Sequence, residues 1–123
     1  MDKETKTIIS SLTEKTKRQE AIWNEGNRKG EYQLVLEQAM IVVALNVTNP
    51  HQPIYSFLIY NVNGVLAESH RVLFKGEELD LVKALYDAVE NAVLKIEVTR
   101  KAILEQINSS KILGQEDDDN LPF

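Results

Sequence analysis

Two stretches near the middle of the chain carry apolar side chains on both sides of an extended backbone, and that property limits the folds open to it. Successive side chains of a strand point to opposite faces. Over residues 39–47, Met40, Val42 and Ala44 fall on one face while Ile41, Val43, Leu45 and Val47 fall on the other. Residues 54–60 repeat the pattern after a break at Asn49-Pro50-His51-Gln52-Pro53. Strands of this kind belong at the centre of a sheet whose two faces are both covered, by helices or by a second subunit.

The flanks supply the rest of such a sheet. Tyr32, Leu34 and Leu36 alternate with Glu31, Gln33 and Glu37, the pattern of a half-buried strand. Before it, Ala21 and Trp23 face one way and Ile22 the other, and the turn-rich segment 24–30 closes a hairpin. Asn63-Gly64 is a strong short hairpin signal, suited to the positive φ angles of a type I′ turn. Residues 65–74 then return as the last strand, where Glu68, His70 and Arg71 suggest an edge or a partly wet face. At the N-terminus, residues 3–18 read as an amphipathic helix with Ile8, Ile9 and Leu12 on one side.

A second, longer helix follows Lys75-Gly76, with Glu77 and Glu78 in its first turn, where carboxylates meet the positive end of the helix dipole. Val82, Leu85, Val89, Ala92, Ile96, Thr99 and Ile103 recur at spacings of three and four, and Ile107 resumes the seam. A helix of about thirty residues extends roughly 45 Å, longer than a small sheet can cover. Its far end is expected to pack on another copy, making the protein a homo-oligomer, or else to bend near Val98-Thr99 and fold back. The expected fold class is α+β: an N-terminal helix, an antiparallel meander of four or five strands, a long C-terminal helix and a disordered acidic tail. Residues 1–113 form one domain and 114–123 the tail.

Charge is unevenly placed. The chain of 123 residues has a net charge of −5, but four of its nineteen acidic side chains lie in 116–119, which leaves fifteen against fourteen basic ones. A nearly neutral body argues against phosphate binding unless the basic residues cluster in space. The absence of cysteine excludes disulfides and thiolate chemistry. No signal peptide or membrane-spanning run is evident, so a cytoplasmic location with no membrane partner is expected.

Catalytic groupings are equally sparse. His51 and His70 lie outside any metalloprotease or triad setting, and the glycines are dispersed at turns rather than gathered into a phosphate loop. No enzyme activity, cofactor or metal is expected. Single-stranded nucleic acid requires aromatic faces beside cationic groups. Candidates for DNA contact are Arg28, Lys29, Arg71 and Lys75, with Trp23 as the stacking residue; Lys95, Arg100 and Lys101 form a second basic cluster. Packing is the commoner role for such an aromatic.

The chain ends in Glu116-Asp117-Asp118-Asp119-Asn120-Leu121-Pro122-Phe123. This tip resembles the acidic tail of bacterial single-stranded DNA-binding proteins, in which an Asp run leads into Leu or Ile and then Pro-Phe. Asn120 departs from that pattern by separating the Asp run from Leu-Pro-Phe. The resemblance implies a docking peptide made of Asp117, Asp118, Asp119, Leu121, Pro122 and Phe123. Phe123 would fill an apolar pocket on a replication or repair enzyme, its carboxylate would meet an Arg, and the acidic run would lie along a basic ridge. Chain-end capture of this kind joins charge to apolar area. The body does not resemble the barrel of that family, although a sheet followed by a long helix resembles the whirly-type single-stranded DNA binders in architecture. The expected function is single-stranded DNA binding, or an accessory role in DNA replication, recombination or repair, in a phage or other mobile element. The alternatives are an adaptor or inhibitor that imitates the tip without binding DNA, and a small acidic dimeric chaperone or sequestering protein.

Overall fold

Asp2 caps the first helix, α1 (Lys3–Lys17), its carboxylate accepting a hydrogen bond from the Thr5 amide at 2.8 Å. That bond holds the Asp2 carboxyl below its ordinary range. The computed structural model describes residues 1–109 and 112–114. After α1 come five strands, β1 (Asn24–Glu25), β2 (Glu31–Val35), β3 (Ala39–Asn46), β4 (Ile54–Asn61) and β5 (Leu66–Val72), and then α2 (Glu77–Ile107). The strands form one antiparallel sheet in sequence order, each pairing with the next. The α+β class, the meander and the long second helix are as the sequence predicts.

Turn chemistry fixes the register. Between β4 and β5 the Asn61 amide donates to the Val65 carbonyl at 2.8 Å, and the Asn61 side chain accepts from the amides of Asn63 and Val65. Gly64 has φ +79°, but Asn63 does not have a positive φ. The hairpin stands where Asn63-Gly64 placed it, yet the turn is a three-residue loop ending in a left-handed glycine rather than type I′. The first strand is much shorter than the pattern suggests, because Trp23 turns inward and only Asn24 and Glu25 pair with β2. Leu36 is likewise outside β2, in a tight turn where its amide donates to the Ala39 carbonyl. Gly30, at φ +78°, brings its own carbonyl to the Leu45 amide at 2.9 Å; a Cβ there would meet the Leu45 carbonyl oxygen at 2.9 Å.

The core lies between one face of the sheet and the two helices. Ile41 and Val43 of β3, Tyr55 and Phe57 of β4 and Val72 of β5 pack with Ile9 of α1 and with Val82, Leu85, Tyr86, Val89 and Val93 of α2. Tyr86 sits against Tyr32 and Tyr55, each at 5.7 Å between ring centroids, and donates to the Glu90 carboxylate at 3.0 Å. Burial, and then that hydrogen bond, push the Tyr86 phenol up. On β5, Glu68 accepts from the Thr5 hydroxyl at 3.0 Å and lies 3.3 Å from His70, so this pair ties the sheet edge to α1.

Both helices cover the same face, so no helix among the described residues lies over the opposite face of the doubly apolar strands. Of the two covers the pattern allowed there, helices or a second subunit, helices do not supply it. The alternative of a bend at Val98-Thr99 is overturned: α2 is continuous to Ile107, and its burial stops at Val93. No helix among the described residues is long and apolar enough to cross a membrane. Of the expected acidic tail, only Gly114 falls within the described residues.

Interaction with the Glu25 carboxylate of β1, through hydrogen bonding first and then through its charge, raises the Glu97 carboxyl of α2 above its ordinary value of 4.5. Just above pH 4.5 the native chain therefore binds more protons than the unfolded chain, and stability falls as pH rises until Glu97 has ionised in the folded state as well. Glu97→Gln retains a hydrogen-bonding side chain without the repulsion. The variant is expected to melt above the parent protein at pH 7, with the gap closing as pH falls towards 4.5. Identical melting curves at neutral pH would show that the two carboxylates do not oppose folding.

Candidate nucleic-acid interface

The uncovered sheet face is built in rows by the strand registers. One row runs Glu31, Ala44, Ser56, Arg71; the next runs Gln33, Val42, Leu58, Ser69; a third runs Val35, Met40, Tyr60, Leu66. Period-two alternation puts the β2, β3 and β4 side chains and Ser69 and Arg71 opposite the core residues, and Leu66 enters its row through the register shift between Ile59 and Tyr60. Val42 is 4% exposed even without a helix above it, while Met40, Leu58 and Tyr60 are half-buried. The centre of the face is thus a shallow apolar floor.

Cations stand at its margins. The β1–β2 loop delivers Arg28 and Lys29, β5 delivers Arg71, and all three line a single depression that also includes Val42, Leu58 and Tyr60. Glu31 is the one carboxylate of that lining, and its side chain folds over Gly26, where a Cβ would lie 2.7 Å from it. Arg28, Lys29 and Arg71 are exposed, and no ion pair among the described residues neutralises them. Residues distant in sequence therefore form a cationic cluster that the nearly neutral composition hides.

Lys75 belongs to a neighbouring depression, beyond the end of β5, which it shares with Arg71 and Phe74. Here the charge is mixed, since Glu77 and Glu78 also line it and Glu77 pairs with Lys6 at 3.4 Å. Arg71 links the two depressions.

Trp23 is not part of this surface. It is 3% exposed, packed in the core, with its indole N–H donating to the Thr16 hydroxyl at 3.0 Å. A base has no access to its faces, so the stacking role expected for it is withdrawn. The aromatic residues that the fold does offer are Tyr60 on the apolar floor and Phe74, 74% exposed, beside Arg71 and Lys75. For Tyr60 the signal was present in the sequence, because it alternates out of phase with Tyr55 and Phe57. Phe74 is expected from the sequence at the end of a strand spanning 65–74, but β5 ends at Val72 and Phe74 lies beyond it.

No family model, curated protein or solved structure matches this chain. The docking residues Asp117, Asp118, Asp119, Leu121, Pro122 and Phe123 lie outside the described residues. Among the described residues there is no group of three or more His, Asp or Glu side chains able to hold a metal ion. What the arrangement offers chemically is a face for binding: cations for a phosphodiester backbone, and an apolar floor with an aromatic ring for bases.

Proposed function

We propose that this protein is a non-enzymatic accessory of DNA metabolism that binds single-stranded DNA on its open sheet face, acts as an oligomer, and recruits replication, recombination or repair enzymes through its C-terminal tip. The observation that carries the DNA reading is the convergence of Arg28, Lys29 and Arg71 on the depression that contains Val42, Leu58 and Tyr60. The depression is polar around its rim, where Asn27, Asn46 and Ser56 join the cations, and carries Val42, Leu58 and the Tyr60 ring on its floor. Cations beside an aromatic ring are the combination that single strands use, with the backbone held electrostatically and the bases laid on π-faces. The recruiting part rests on the sequence of the tip. Cytoplasmic residence and an origin in a phage or mobile element belong to the same reading.

Fluorescence anisotropy with labelled oligo-dT tests it. Charge reversal at Lys29 and Arg71 together is expected to weaken binding by about tenfold or more and to flatten the salt dependence, because each neutralised phosphate of a single strand accounts for about 0.7 of a unit of slope. Different base sequences should lose affinity equally, since phosphate contacts carry no sequence information. An unchanged salt slope would place the site elsewhere, at Lys95, Arg100 and Lys101. Absence of binding by both the whole chain and a chain ending at Gly114 would leave the adaptor or inhibitor reading, in which the tip acts without DNA, and the chaperone or sequestering reading.

A further inference from the structure

The stripe of α2 that faces the sheet does not end where the sheet does. Beyond Val93, the side chains of Ile96, Ile103, Leu104 and Ile107 continue at helical spacing from Val82, Leu85, Val89 and Val93, yet they are 42 to 58% exposed. Residues 94–107 therefore project as an apolar-striped overhang of about 20 Å, at 1.5 Å per residue. At its inner end the stripe runs into a groove between α1 and α2 whose lining includes Ile22, Trp23, Ala88, Ala92 and Ile96. The alanines leave room for another helix to approach closely. Most of the large apolar side chains that the described residues expose lie on this overhang, in this groove, or at Ile112 and Leu113 just past the helix.

We propose that a second copy of this chain covers the overhang, the two α2 ends pairing antiparallel about a two-fold axis near Thr99. The choice of occupant follows from self-complementarity. In this arrangement Ile107 of each copy reaches the Ala92 end of the other's groove, and Ile103 meets Ile96, so the apolar end of each copy fills the apolar groove of its mate. A parallel pair would bring overhang against overhang and leave both grooves open. The helix dipole agrees with the antiparallel sense, while Arg100 of each copy, next to the axis, has to turn its guanidinium out to solvent. The last turn of α2 has no basic residue to meet the negative end of its dipole, and Lys95, which lines the groove, falls beside that turn of the other copy. The arrangement deepens the oligomer clause of the proposed function and is independent of DNA.

Light scattering on the full chain without DNA tests it. The expected mass is twice the 14.0 kDa of one chain. Ile103→Asp is expected to weaken self-association by about tenfold or more without lowering the melting temperature of the monomer, because that side chain is 52% exposed and an interface anchor once paired. The chain has no cysteine of its own, so engineered thiols report the register. Chains carrying Ile96→Cys, mixed with chains carrying Ile103→Cys and oxidised, are expected to form a disulfide-linked dimer of the two variants. A one-chain mass at every concentration, or a dimer indifferent to Ile103→Asp, overturns the interface. A dimer whose two thiols do not join overturns the antiparallel register. Oligo-dT binding is read separately, so the loss of one reading leaves the other standing.

Discussion

Replacing Phe123 with Ala is expected to abolish capture of replication or repair enzymes while the melting curve of the folded body stays unchanged. In the proposed docking mode Phe123 supplies both the aromatic anchor and the terminal carboxylate. Central aromatic anchors commonly cost about 2 kcal/mol or more when truncated, roughly thirtyfold in affinity. One residue appended after Phe123 should do similar damage by moving the carboxylate away from the ring. Neutralising Asp117, Asp118 and Asp119 should act more gently, mainly on association rate and salt sensitivity, as rim charges do. Deleting Asn120 restores the spacing of the tail that this tip resembles, and should tighten docking. Pull-downs from a bacterial lysate with intact and Phe123→Ala chains provide the check. Recovery of the same proteins by both would reduce the tip to a solvating tail and remove the recruiting half of the proposed function.

The second large effect concerns stability. Trp23→Ala is expected to destabilise the fold by about 3–5 kcal/mol, the range for deleting a large buried aromatic. This is a sizeable part of the roughly 5–15 kcal/mol that holds a domain of this kind together. Trp23 packs in the core while its N–H bonds Thr16 near the end of α1, so its loss opens a void and releases the helix end together. Trp23→Phe keeps much of the ring volume and should cost less. Urea denaturation followed by circular dichroism gives the numbers. A Trp23→Ala chain that unfolds at the parent's midpoint but no longer binds oligo-dT would return this residue to the DNA surface.

Trp23 also shows where sequence reading fails. Alternation and turn residues sufficed for the helices and the four longer strands, because those signals are local and strong. Leu36, by contrast, continues the alternation of β2 but belongs to the turn before β3, and no glycine or proline marks that turn. The doubly apolar strands suggested cover on both faces, yet Val42 reaches 4% exposure without a helix above it. Its register partners on either side are Gln33 and Leu58, the cross-strand positions whose side chains stand closest on that face. In the candidate site, Arg28, Lys29 and Arg71 were legible as cations but their meeting was not. It depends on the registers of three successive strand pairs, which no local pattern specifies. The stacking expectation for Trp23 failed for a local reason: proximity to a basic loop was visible, whereas alternation alone did not show that the ring turns inward, where its N–H meets Thr16 only seven residues earlier.

The unbroken order of the strands bears on how the chain assembles. Every strand finds its mate next to it in sequence, so the sheet can zip up through short loop closures that sacrifice little chain entropy. α1 is in the opposite position. Its main helical contact is α2, and the whole meander separates the two. Synthesised before the strands and α2, α1 has an amphipathic face and no helix of this sheet layer to lay it on until α2 has been made. The Asp2 cap keeps the start of that waiting helix supplied with a hydrogen-bond acceptor.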